Sequence, residues 1–157
     1  MEKNIFNFKI IAIDVLGFCF ELKDEFIEKE NLEDKRFRDY FFDIKIRNNY
    51  ILPENFMQME VNVNIFLDAA RNIKLGNILT SNLYEIEKLN SFYDERSDTM
   101  DLPENFVLGL ISLSVSHTRA ILISKTAGTF LENAIIPVLS VEDHKKLLSK
   151  INKTQFA

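Results

Sequence analysis

From Met57 to Ala69 the chain alternates. Met57, Met59, Val61, Val63, Ile65, Leu67 and Ala69 point one way, and Gln58, Glu60, Asn62, Asn64 and Asp68 the other. A period of two sustained over this length describes a β-strand with one buried face. The rest of a 157-residue chain must supply its neighbours. Upstream, Phe42, Ile44, Ile46 and Tyr50 alternate with Asp43, Lys45 and Arg47, which predicts a strand over about 40–51. Leu52-Pro53-Glu54-Asn55 makes the turn between the two. Downstream of Asn72, the residues Leu75, Ile78, Leu79, Leu83, Tyr84 and Ile86, with Thr80 and Ser81 among them, predict a strand over about 75–88.

Residues 5–21 read as a further strand, but without clean alternation. Phe6, Phe8, Ile10, Ala12, Leu16, Phe18 and Phe20 share one parity, and Ile5, Ile11, Ile13, Val15 and Cys19 the other. Both faces are mostly apolar, so the second face is expected to be covered by a helix or another subunit. Gly17 marks a bulge or bend. Residues 22–39 form a charged connection, with eight acids if Glu21 is included. That is too long for a hairpin, so the second strand is not expected to fold back on the first.

At Asp101 the period changes. Asp101-Leu102-Pro103-Glu104 offers an N-cap residue, an early proline and an acid three positions on. Phe106, Leu110, Leu113 and Ile121, with Val107, Ile111, Val115 and Leu122, then recur at helical spacing up to Gly128, the expected stop. Residues 129–140 are a short apolar connection. Ser140 and Asp143 form a capping box for a second helix, with Leu147, Leu148 and Ile151 on one face. The expectation is one α+β domain over 1–157: a four-stranded antiparallel sheet with a crossover after strand one, then a long helix and a short C-terminal helix. LPENF recurs at 52–56 and 102–106, but its flanks differ and one copy sits in a turn, the other at a helix start. It is not a repeat.

Composition narrows the chemistry. Hydrophobic residues are 46% and charged residues 27%, the ordinary globular range. Fourteen Phe and four Tyr with no Trp offer either a ring-rich core or surplus apolar surface. A net charge of −5 argues against generic nucleic-acid binding. Lys145, Lys146, Lys150 and Lys153 read as the cationic end of the last helix. Cys19 is the single cysteine, so no intramolecular disulfide forms; it reads as a buried small hydrophobe in a reducing compartment. Asp14 interrupts the apolar N-terminal run, and no small-x-small cleavage site follows it. No stretch reaches ~18 clean apolar residues, so neither a signal peptide nor a membrane span is expected. A cytoplasmic location is.

Catalytic constellations are missing from the pattern. Gly17, Gly76, Gly109 and Gly128 are scattered, so there is no phosphate-cradling loop. His117 lies mid-helix and His144 at the start of the last helix, with no ligand spacing between them. His117 reads as a partly buried residue bonded to a neighbour. Ser112, Ser114 and Ser116 read as small residues that permit close packing. Neither a cofactor nor a metal is expected, and the chain is not expected to be an enzyme.

The chain resembles the SecB family of export chaperones and their SecB-like relatives over about residues 5–150. The resemblance rests on Phe8 through Phe20-Glu21 in strand one, and on Ile78-Leu79-Thr80-Ser81-Asn82-Leu83-Tyr84-Glu85-Ile86 in strand four. It continues in the helix stop Gly128-Thr129-Phe130 and the Pro137-Val138 pair before the last helix. It implies the fold just described, in a homotetramer built as a dimer of dimers with the long helices at its centre. It also implies an ATP-independent holdase that binds unfolded segments, either for export or for a dedicated client such as an antitoxin. Client grooves would involve Phe26, Ile27, Phe37 and Phe42 from the crossover and sheet. From the apolar connection they would draw on Phe130, Leu131, Ile135, Ile136, Val138 and Leu139. A patch for the translocation motor SecA would use Glu21 and Leu75, but Gly17 and Asn77 stand where the family carries acids. The tail is basic, and Ala127 replaces the family's Arg before the glycine. Two other readings stay open at this stage: a hot-dog-like acyl-thioester enzyme, and an assembly subunit with no holdase role.

Overall fold

A computed structural model describes residues 7–21, 39–97 and 99–154, with side chains up to Ile151. The expected client residues Phe26, Ile27 and Phe37 lie outside the described residues. Four long strands form the sheet: β1 (Phe8–Phe20), β2 (Phe41–Ile51), β3 (Phe56–Phe66) and β4 (Lys74–Ile86). All neighbours are antiparallel, in the order β1-β4-β3-β2. The first two strands thus occupy opposite edges, as the long charged connection requires. A two-residue pair, β5 (Tyr93–Asp94) and β6 (Thr99–Met100), precedes helix α1 (Glu104–Thr126), and α2 (Val141–Thr154) ends the fold.

β3 is the strand the alternation described. Met57, Met59, Val61, Val63 and Ile65 are completely buried. They meet Leu110, Ile111, Val115 and Leu122 of α1 in one core. The turn before β3 is a short 3-10 segment, Leu52–Glu54, with Pro53 near its start and Asn55 in the left-handed region at φ 58°. Asp68 shapes the β3–β4 connection by accepting the backbone N–H groups of Asn72 and Ile73, and these bonds hold its carboxyl below the usual range.

Three expectations need correction. Asp101 is not the N-cap of α1. Its N–H donates to the Phe92 carbonyl at 2.8 Å, extending the β5–β6 pair, and the chain enters the helix at Pro103 with no side-chain cap. Proline's fixed φ serves in its place. Cys19 is exposed, because it lies on an edge strand with an open outer face. The parity reading of β1 fails because register shifts at Ile11 and Leu16 each insert an extra residue opposite β4. Within one chain Phe8 meets Phe106 of α1 and Phe18 packs on the core, but most of β1 stays exposed.

By length and composition α1 could cross a membrane, with a mean hydropathy of 1.7 over its best 18 residues. In this fold it lies on the sheet and buries residues such as Val107, Leu110, Ile111, Val115 and Leu122. Gly128, at φ 73°, follows it. Ser140 and Asp143 make the expected reciprocal box at α2: Ser140 N–H donates to Asp143 Oδ2 at 3.1 Å, and Asp143 N–H to Ser140 Oγ at 3.2 Å.

Candidate binding surfaces

The C-terminal end of β1, the start of β2 and the connection after α1 converge at one end of the sheet. The Phe20 ring stands 5.0 Å from Phe18 and 5.4 Å from Phe130, centre to centre. Tyr40 Oη donates to the Phe130 carbonyl at 3.0 Å, tying the opposite edge of the sheet to the same connection. Gly76 permits the approach. A Cβ there would stand 2.9 Å from the Cys19 carbonyl oxygen and 3.3 Å from Leu131 Cδ1.

The connection has an inner and an outer side. Leu131, Ala134 and Ile136 are buried, whereas Ile135 is 52% and Val138 87% exposed. Arg119, on α1, decides which is which. Its Nε donates to the Ile136 carbonyl and its Nη2 to the Pro137 carbonyl, each at 2.7 Å. Two charge-assisted bonds to consecutive carbonyls hold this stretch along the helix and turn Val138 outward. Of the expected client residues, Ile135 and Val138 therefore present open apolar surface. Phe42, Phe130 and Leu139 are half-buried at the core's margin, and Leu131 and Ile136 are packed inside it. Sequence reasoning passed over Phe18, Phe20, Tyr40 and Arg119. The dense Phe18-Cys19-Phe20 run was the available signal for the first two; for Arg119 there was none.

The expected motor patch is largely spent on internal contacts. Glu21 is exposed but paired with Lys74 at 2.6 Å, and its N–H donates to the Leu75 carbonyl. Leu75 is 5% exposed, so it offers little apolar surface. Asn77, across from Cys19, donates to the side-chain carbonyls of Asn62 and Asn64.

A polar seam joins α1 to β4 within the apolar core. Tyr84 Oη and Ser114 Oγ lie 2.7 Å apart, as do Thr80 Oγ1 and Thr118 Oγ1. His117 Nδ1 lies 2.8 Å from Asn82 Oδ1. Burial pushes the His117 imidazole below its ordinary range and the Tyr84 hydroxyl above its own. These bonds fix how the helix sits along the sheet, which non-directional apolar contact alone does not do. Ser114 is thus a bonded core residue, while Ser116 Oγ donates back to the Ser112 carbonyl. Among the described residues, no three His, Cys, Asp or Glu side chains gather as a metal would need.

The second open surface is β1 itself. Phe8, Ile10, Ile11, Ile13, Val15, Leu16 and Phe20 are all between 38% and 52% exposed. Beside the strand's start, Phe8 and the α1 residues Phe106, Gly109, Leu113 and Ser116 line an open cleft of about 470 Å³.

No family model matches the sequence, and no curated protein sequence does. Solved structures do match. The SecB-like chaperone of Mycobacterium tuberculosis, in complex with a ChAD peptide from the HigA1 antitoxin, superposes with a TM-score of 0.50 at 11% identity. The match covers 85% of this chain and 90% of that one. A Streptococcus agalactiae protein of unknown function matches with a TM-score of 0.44 at 10% identity, over 87% of this chain and 98% of that one. The chain therefore has a SecB-like fold.

Proposed function

We propose that this protein is an ATP-independent holdase of the cytoplasm, which keeps non-native polypeptide segments from aggregating. The observation that carries the reading is the open apolar surface at one end of a SecB-like sheet. There the Phe18, Phe20 and Phe130 rings meet a connection that turns Ile135 and Val138 to solvent. Docking one large apolar side chain contributes ~1.5–3 kcal/mol, and a few anchors per chain bind weakly once ordering and association costs are met. Repeating the surface around a homotetramer raises the effective concentration enough for tight but unselective capture. A holdase needs that combination.

The client is either a set of exported proteins or one dedicated protein. The Mycobacterium neighbour carries an antitoxin peptide, which supports including an antitoxin segment among the clients tested. The pairing of Glu21 with Lys74 and the burial of Leu75 favour the dedicated client over motor-coupled export.

The test uses the purified full chain and a chemically unfolded polypeptide, diluted together and followed by light scattering. Wild type is expected to delay aggregation at near-stoichiometric ratio. Ile135→Ser with Val138→Ser is expected to weaken that delay several-fold. A wild-type protein with no effect, or a double variant that performs equally well, sinks the reading.

A further inference from the structure

Given the holdase reading, on which this step rests, the lysines of α2 bear on which clients are captured. The helix opens with two acids, Glu142 and Asp143, and the capping box with Ser140 occupies Asp143. No acid follows Asp143 in the sequence, whereas His144, Lys145, Lys146 and Lys150 do. The helix dipole does not account for Lys145 and Lys146. They lie in the second turn, and the dipole draws cations only to the last. Leu147 and Ile151 face the core, while Lys145, Lys146 and Lys150 are exposed. Lys145 reaches Glu104 at 3.7 Å and Lys146 reaches Asp143 at 3.6 Å. All four of these side chains are largely exposed, and such pairs are weak enough to be exchanged for a partner's carboxylate.

The positive charge is local, and it adjoins open apolar surface. From Arg119 to Ile151 the chain carries five Lys and Arg against three Asp and Glu, while the whole protein has 19 against 24. Val138 and Val141, 87% and 62% exposed, come just before the lysines. Val141 and Lys145 are four residues apart, and so are Lys146 and Lys150. Each pair therefore shares one side of the helix, about 6 Å apart along its axis. In an extended polypeptide the side chains of one face recur every two residues, about 6.6–6.8 Å. The two spacings nearly match, so a segment laid along α2 sets an apolar side chain on the valines and successive carboxylates against the lysines. We propose that this surface selects acidic client segments: extended stretches with apolar residues that seat on Val138 and Val141, next to alternating Asp or Glu that pair with Lys145, Lys146 and Lys150.

A narrow cationic strip suits one extended chain better than a flat anionic membrane. Glu104, paired to Lys145, and Glu142 are both exposed beside it, and a broad polyanionic surface would meet them as well as the lysines. The net charge of −5 opposes the approach of such a surface. An extended chain touches the strip alone. The lysines also supply what apolar docking lacks. Burial of apolar area is non-directional and accepts any sequence with large side chains. Exposed charge pairs are individually small, but a basic segment loses them and meets like charge in their place, so the difference between the two kinds of client grows with each lysine. Over three lysines a preference of about tenfold at low salt is expected.

The test uses the full chain and two fluorescein-labelled peptides with the same apolar residues, one with Glu at every polar position and the other with Lys. Fluorescence anisotropy at about 0.05 M salt is expected to show the Glu peptide bound about tenfold more tightly, with the preference shrinking at about 0.5 M as screening shortens the reach of the charges. The triple variant Lys145→Gln, Lys146→Gln and Lys150→Gln changes only exposed positions and is expected to keep the wild-type circular dichroism spectrum. It should still bind both peptides and lose most of the preference. Val138→Ser should weaken both peptides alike. Equal binding of the two peptides by wild type, a preference for the Lys peptide, or a preference that survives the triple variant overturns the proposal and leaves the holdase reading standing. Retention on vesicles of phosphatidylserine and phosphatidylcholine without a peptide preference overturns it in favour of a membrane. A protein that binds neither peptide and does not delay aggregation overturns the holdase reading and this proposal together.

Discussion

The polar seam between α1 and β4 makes a sharp energetic prediction at Tyr84 and Ser114. Both residues are completely buried, and their hydroxyls are 2.7 Å apart. Ser114→Ala leaves the Tyr84 hydroxyl in the core with no partner, and stranding a buried polar group costs about 1–3 kcal/mol. Tyr84→Phe is milder. Ser114 sits mid-helix and can rotate its hydroxyl onto the carbonyl four residues back, as Thr118 and Thr126 do in this helix at 2.9 Å. Its expected cost is about 0.5–1.5 kcal/mol. In the double variant both hydroxyls are gone together. It should therefore be no less stable than Ser114→Ala, with a coupling energy of about 1 kcal/mol or more. Urea unfolding of all four proteins, at one protein concentration so that association contributes equally, gives the cycle. If the two single costs add to within ~0.5 kcal/mol, the pair does not act as a unit, and the claim that directional bonds set the helix on the sheet fails.

Three further outcomes follow from the same packing. Burial lowers the pKa of His117, so over an interval below its ordinary value of ~6.5 the unfolded chain binds more protons there than the folded chain does. Stability should fall as pH drops through that interval, and His117→Gln should lose less of its urea midpoint between about pH 7.5 and 5.5 than wild type does. Gly76→Ala puts a methyl 2.9 Å from the Cys19 carbonyl oxygen, a backbone atom that cannot swing away. A cost of about 1–3 kcal/mol is expected, lowering the melting temperature by ~2–4 °C per kcal/mol; an unchanged melting temperature would show that β1 yields freely at its C-terminal end. Arg119→Ala removes both bonds to the Ile136 and Pro137 carbonyls. Limited proteolysis should then cut within residues 133–139 well before it cuts the wild type, and equal rates would mean that Leu131, Ala134 and Ile136 hold the connection unaided.

What the sequence disclosed follows from where burial is one-sided. β2 and β3 alternate because one face of each meets the core, and the bounds of β2, β3 and β4 were legible to within one to three residues. The capping box at Ser140 and the stop at Gly128 were legible because each depends on a few adjacent residues. The roles of Leu131, Ile135, Ile136 and Val138 were not. All four are apolar, and which of them faces inward is decided by a guanidinium on α1 that local patterning does not sense. Asp101 carried a cap signal, but its backbone was already engaged by Phe92. Nothing in the pattern marked so short a pair as β5 and β6.

β1 shows the same limit from the other direction. A period-two reading assumes that every residue advances the ladder by one row, and Ile11 and Leu16 do not. Counted straight through, both faces of the strand look equally apolar and its two charges fall on opposite sides. Counted with the bulges, the large rings and branched chains collect on the helix side. The outer side becomes Lys9, Ala12, Asp14, Gly17 and Cys19, a short polar row with a small residue midway between opposite charges. The apolar excess that first suggested a covered strand is therefore two features superimposed. One is a helix-side stripe that stays 38–43% exposed at Phe8, Ile10, Ile13, Val15 and Phe20. The other is a pair of bulge residues, Ile11 and Leu16, at 40% and 52%.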